Sequence, residues 1–272
     1  MLRGVWLSAC GWALPGFFLL ATMIPSLAQQ TAYKPPRTPD GKPDLQGIWE
    51  VRNLAANGNL EAHSASAGIR AGESVIVDPA DGKIPYLPAA AAKQKENFAH
   101  RASADPVSKC FLPGVPRITY MPYPFQIFET PNYIAITYEY VHASRTIYMN
   151  GSKHLDGIDF WMGDSRGHWE GDTLVVDVAD NNAETWLDMS GNFHSGELHV
   201  IERYTRTSPD TLQYEATIED AKVFSRLWKI SLPLFRHSEK NAQLYEYECS
   251  VYREEGREEG RTAGRAEGRD KK

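Results

Sequence analysis

The sequence predicts a mainly β protein, an antiparallel meander closing into a barrel or sandwich, with a long irregular N-terminal wrap and one short helix. Three observations predict it. From Phe125 onward, β-rich runs alternate with short polar turns. Within those runs apolar side chains repeat every second residue, as a half-buried sheet requires. Finally, the chain has too little helix to cover such a sheet, so closure is the cheapest way to bury one face and remove free edges.

The N-terminus is set aside first. Arg3 is followed by a mostly apolar run from Val5 to Leu27, and Ser26 and Ala28 stand where a signal peptidase reads. Residues 1–28 are therefore read as a signal peptide, with no membrane span after its cleavage. "LSAC" at residues 7–10 resembles a lipoprotein box, but cutting there would leave most of the apolar run after the cut. Residues 29–45 form a Pro-rich lead-in, and residues 46–252 a single β domain. Residues 253–272 repeat Arg and Gly at every fourth place with no apolar face, the composition of a disordered tail.

The elements follow in order. Ile48 and Trp49 begin the first strand, and residues 53–74 are a long polar loop. "SVIVDPADG" is a short strand running into a turn. "AAAAKQKENFAHRA", from Ala89, is rich in good helix formers and is the helix. Prolines every few residues keep "DPVSKCFLPGVPRITYMPYPFQIFETP" from being helical before the strand from Phe125 to Thr130. "NYIAITYEYVHASRTIYM" reads as one long strand turning at "NGSKHLDG". "WEGD" turns into "TLVVDVAD", with Glu170, Gly171 and Asp172 in a tight turn and His168 facing out beside it. "TSPD" joins two strands, and "HSEKN" joins the last two, "LWKISLPLFR" and "QLYEYECSVYR".

Parity then sorts the faces. Leu198, Val200, Glu202 and Tyr204 share one side of their strand. Leu212, Tyr214, Ala216 and Ile218 share one side of the next, and Trp228, Ile230, Leu232 and Leu234 one side of the third. Tyr245, Tyr247 and Cys249 oppose Glu246 and Glu248 in the last. Glu202 is the exception on an otherwise apolar side.

Charge and cysteines narrow the partners. The net charge is −6, and an acidic body suits neither nucleic acid nor an anionic membrane face. Of the three cysteines, Cys10 falls in the leader. Cys110 and Cys249 remain as an even pair, which in an oxidising compartment predicts a disulfide between the middle of the chain and its last strand.

"PRTPDGKPDLQGIWE", "DPVSKCFLPGVPR", "MPYPFQIFETP", "GHWEGDTLVVDV" and "TWLDMSGNFHSGELHVIERYTR" resemble a family of secreted bacterial proteins of uncharacterised activity. The resemblance covers roughly Pro36 to Cys249. It implies block order and an exported, periplasmic or extracellular location, and no mechanism. Gly47 to Trp49 also resembles the G-x-W of lipocalin-type barrels, which implies a calycin-like barrel, though the long insertion at 53–124 departs from a lipocalin.

Two constellations carry candidate chemistry. A Gly-containing loop brings Asp188 and His194 near the strand bearing Glu202, and an imidazole beside a carboxylate is suited to proton transfer. On an apolar face Glu202 would be a raised-pKa acid, or the partner of an internal Arg. In the long central strand Tyr138, Tyr140 and His142 share one face, with Glu139 and Arg145 on the other. With Trp186 and Tyr204 these are candidate ligand contacts, since a tyrosine wall offers flat rings and hydroxyls. No metal is expected: His154, Asp156 and Asp159 share a loop, His194 and His199 fall on opposite faces, and no HxH or HxxxH spacing occurs. There is no GxSxG elbow, and Ser165 and Ser195 sit in ordinary loop contexts.

The function expected is that of an exported small-molecule binder for an apolar, aromatic or sugar-like ligand, with no cofactor. The alternatives are a cofactor-free lyase, isomerase or hydrolase using His194 with Asp188 or Glu202, and a structural or interaction module.

Overall fold

The computed structural model describes residues 33–249 except Ala67, together with Met1 and Gly4. The expected signal peptide apart from Met1 and Gly4, the Cys10 box and the expected Arg/Gly tail lie outside these residues. The chain divides into two units, Met1–Ala32 and Tyr33–Lys272, and the second unit holds every strand and helix among the described residues.

The strands are β1 (Gly47–Val51), β2 (Ile76–Asp78), β3 (Phe125–Glu129), β4 (Tyr133–Tyr138), β5 (Ser144–Tyr148), β6 (Asp164–Glu170), β7 (Thr173–Ala179), β8 (His199–Ser208), β9 (Thr211–Glu219) and β10 (Trp228–Arg236). They form one sheet in the order β1-β3-β4-β5-β6-β7-β8-β9-β10-β2, and a β1–β10 pairing closes nine of them into a barrel. Strand β10 holds β2 against Lys229 and Ile230 and β1 against Leu234 to Arg236. The two N-terminal strands thus follow each other along one edge. The barrel is mixed, because β5 and β6 pair in parallel through Ile147–Ser165 and Tyr148–Arg166. The other pairings that close it are antiparallel.

Parity places the core. Val200, Glu202 and Tyr204 of β8 are buried, as are the even-numbered residues of β9 from Leu212 to Ile218 and of β10 from Trp228 to Leu234. Lys229 and Glu215, on the opposite face, are exposed. Trp49 is buried, donates its indole N–H to the Leu45 carbonyl at 2.8 Å, and lies under the guanidinium groups of Arg206 and Arg236.

Helix α1 is one turn (Ala55–Gly58) and helix α2 runs 17 residues (Pro88–Ala104). Proline at the first position of α2 is favourable, because its missing N–H would have had no partner there. The helix is anchored to the 185–194 loop: Gln94 and Asn97 donate to the carbonyls of Ser190 and Gly191. Gly191 has φ +77°, and a Cβ there would stand 2.6 Å from that of Asn97, so the approach requires glycine.

Two expected strands differ. The run 132–149 is a hairpin, β4 and β5, reversing at Val141 (φ 44°) and His142 (φ 52°). Two successive left-handed residues make the tight turn that matches strand twist, normally written Asn-Gly. "VH" carries no such signal, and a β-branched residue with positive φ is an outlier. The reversal also overturns the expected face sharing: Tyr138 and Arg145 are both buried inside the barrel, and His142 sits at the turn with its side chain half exposed. Residues 243–249 form no strand. They meet the barrel through a parallel bridge from Tyr247 to Tyr140, and β1 takes the closing position instead. Tyr245 is accordingly exposed rather than inward. The disulfide joins Cys110 to Cys249 with Cα atoms 5.6 Å apart.

Candidate functional site

The barrel interior contains a polar cluster. Glu202 on β8 lies between the small neighbours Val176 and Ala216, which leaves room for a carboxylate and its partners. Arg145 reaches it from β5 through Nη2, while Arg145 Nε donates to Ser165 Oγ at 2.8 Å. The Tyr204 and Tyr214 hydroxyls both donate to Glu202 Oε1, at 3.0 and 2.8 Å. Burial, and then the Glu202 carboxylate, push both phenols well above their usual range. Burial opposes the charge on Arg145, and Glu202 with Tyr204 and Tyr138 together more than offset it, so the guanidinium stays charged. Tyr138 faces the same guanidinium, its phenol pushed up to about 12 chiefly by burial. Glu202 is therefore the counter-ion of an internal Arg, with both of its oxygens engaged. Ser165, expected in a loop, is a buried β6 residue.

His194 and Asp188 lie elsewhere. Among the described residues neither hydrogen-bonds to the other or to Glu202. His194 is buried: Nδ1 donates to the Ser195 carbonyl at 2.8 Å, and Nε2 pairs with Thr185 Oγ1 at 2.7 Å. Burial lowers its pKa, which keeps the ring neutral. Asp188 accepts from the backbone N–H of Leu60, Ser190 and Asn192 and from Asn192 Nδ2. Burial pushes its pKa up to about 6 against those donors. Its hydrogen bonds tie the N-terminal wrap to the 185–194 loop. Trp186 is half-buried in that loop, bridged to Phe193.

The remaining expected contacts belong to the C-terminal attachment. Tyr140 donates to the Phe111 carbonyl and stacks on Tyr247, with Tyr123 beside both. Glu139 accepts from the Tyr245 N–H, and His142 Nε2 lies 2.6 Å from Glu248.

A cleft opens beside β5. Because β5 and β6 share only two residue pairs, the Ser144–Thr146 end of β5 has no ladder partner on that side. Segment 160–163 runs past it, and a cleft of about 390 Å³ lies between them. Its walls are aromatic and apolar: Tyr148, Leu155, Phe160 and Trp161, with Leu112 beside them. Ser144, Thr146, Arg145, Asp164 and Ser165 supply the polar lining, so the cleft reaches the edge of the interior cluster. Phe111 stacks on Trp161 with ring centroids 5.1 Å apart and extends the wall; it is 47% exposed and Tyr148 44%. Such exposure of large rings around one concavity is the usual mark of a binding site. Sequence reasoning found Arg145 here but missed Trp161, Tyr148 and Ser165, because the parallel pairing that creates the opening leaves no local pattern.

A second grouping also escaped the sequence. His154, Asp164 and Asp180 bring one donor atom each within 4.8 Å of one another. The fold rather than spacing assembles them, from the 149–163 loop and the paired ends of β6 and β7. They are donors that could hold a divalent cation. Both oxygens of Asp164 are nonetheless engaged, by Arg166 and by His154 and the Leu155 N–H.

Comparison with protein-family models, with curated proteins and with solved structures gives no match for this chain.

Proposed function

We propose that this chain is an exported binding protein for a small, flat, mostly apolar molecule carrying hydrogen-bonding oxygens, seated in the cleft at Trp161. The observation that carries the reading is that cleft: aromatic walls, a polar lining from Ser144, Thr146, Asp164 and Ser165, and the buried Arg145 at its inner edge. Its volume falls in the range of small-ligand sites, roughly 300–1,000 Å³. The barrel lumen is a poorer candidate, because the inward side chains of β8, β9 and β10 are buried against one another. Rings on Trp161, Phe111 and Tyr148 would stack on a flat ligand, and the hydroxyls would orient its oxygens. The disulfide and the resemblance to secreted proteins support an oxidising, exported location, and no described helix is long and apolar enough to cross a membrane.

The test is calorimetric titration with 2-naphthoate as probe. Trp161→Ala should weaken binding at least tenfold, as expected when a central aromatic contact of ~2 kcal/mol is lost, with melting unchanged within a few degrees. Equal affinity in the variant, or no binding to the parent protein at millimolar probe, would reject the site.

A further inference from the structure

A second cleft, of about 450 Å³, lies beside the turn that follows β3. Ile134, Met149 and Trp169 give it an apolar wall, and Glu129 lies among them. Glu129 is the last residue of β3 and is only partly exposed. Its Oε1 accepts the Leu45 N–H at 2.5 Å. Its Oε2 has no hydrogen-bond donor among the described residues and is open to solvent. Two more acids come from the lead-in: Asp40 lines the cleft, and Asp44 acts on Glu129 from nearby. Lys42 also lines the cleft and is exposed. Arg206, the cation acting on Glu129, gives its Nη1 and Nη2 to the Asp44 and Pro209 carbonyls, while its Nε is buried without a partner. His168 lines the cleft and is turned to Glu170 at 3.2 Å.

We infer that this cleft is a binding site for a small organic primary ammonium, held by Glu129 Oε2 and packed against Trp169. An ammonium supplies the donor that Oε2 lacks, in a cleft where Glu129, Asp40 and the nearby Asp44 outnumber Lys42 and Arg206. An indole beside a carboxylate is a favourable seat for it, because the ring face attracts cations and the apolar wall takes the substituent. A neutral alcohol of the same shape can donate one hydrogen bond to the carboxylate but brings no positive charge.

The charge on Glu129 gives the site a pH dependence. Burial first, then Asp44 and Asp40, push its carboxyl up to about 7, while the Leu45 N–H and Arg206 pull it down. An ammonium needs the ionised form, so affinity should rise with pH through 7. His168, on β6, also lines the cleft, so its contribution must be separated.

The experiment titrates the full-length protein with benzylammonium and with benzyl alcohol as its neutral counterpart. At pH 8 benzylammonium should bind at least tenfold more tightly than the alcohol. Glu129→Gln, which retains an acceptor for Leu45, should lose at least tenfold, and Trp169→Leu should also lose affinity should the first variant melt early. From pH 8 to pH 6 the affinity should fall by up to about tenfold, the change in ionised fraction for a group titrating near 7, and His168→Gln should retain most of that fall. Trp161→Ala, in the other cleft, should leave benzylammonium binding unchanged, which separates this site from the naphthoate site. Equal affinity for the alcohol, full binding by both Glu129→Gln and Trp169→Leu, or no binding at millimolar benzylammonium would each overturn the inference.

Discussion

Replacing Glu202 by Gln removes one charge and almost no volume from the barrel interior. Arg145 cannot respond by giving up a proton, because a guanidinium remains charged in any protein environment. It would be left beside Ser165 and Tyr138 with no counter-ion, while one amide oxygen still accepts from Tyr204 or Tyr214. Breaking a buried pair from one side typically costs about 3–5 kcal/mol, mostly as the uncompensated charge. For a domain of this size, at about 2–4 °C per kcal/mol, the melting temperature should fall by ~6–20 °C. Urea unfolding followed by circular dichroism gives the free energy, and an unchanged denaturant slope would confirm that the native state remains intact. Arg145→Met with Glu202→Leu should recover part of the loss, because it removes both charges, though the two phenols lose their acceptor. A loss under about 1 kcal/mol in Glu202→Gln, far below the cost of an unpaired buried charge, would refute the reasoning. It would mean that Arg145 reaches water through the cleft it lines.

Other consequences rest on the same structure. Cys110→Ser with Cys249→Ser opens a link spanning 139 residues, for which the chain-entropy account gives at most about 5 kcal/mol and typical bridges about 2–5. Urea midpoints of the oxidised protein and the double variant measure it, and coincident curves would show that the bridge does not constrain the fold. Asp188 has a folded pKa raised to about 6 from 3.8, so its contribution to stability is fully present below pH ~4 and lost as pH rises through 6. The raised value corresponds to about 3 kcal/mol by linkage. Asp188→Asn cannot titrate, so its stability relative to the parent protein should improve by up to that amount between about pH 4 and pH 8. A flat or opposite trend in paired urea titrations would contradict it.

Much of the architecture was legible in local patterning. Alternation fixed the inward faces of β8, β9 and β10, and the even cysteine pair foretold the bridge. What was not legible depended on long-range pairing. Val141 and His142 reverse the chain without a turn signature, so Tyr138 and Arg145 came to share the interior against simple parity. The parallel β5–β6 contact follows a crossover that no short motif announces, and it is this contact that opens the cleft at Trp161. The last strand looked genuine because Tyr245, Tyr247 and Cys249 alternate with glutamates, yet β1 outcompetes it for the edge of β10. Glu202 stood out correctly as an anomaly in sequence. Only the fold shows that its partner is Arg145 rather than His194, whose two nitrogens are held by Thr185 and Ser195.

The central claim concerns where a ligand sits, and chemical-shift mapping of the amide and indole N–H groups during a naphthoate titration tests it most directly. Saturable shifts should be largest at the Trp161 indole and at Phe111, Thr146 and Tyr148, with little change at Trp169, Trp186 or Trp228. Shifts centred on the inward residues of β8 and β9, or on the 185–194 loop, would contradict the account and return the site to the barrel interior or to His194.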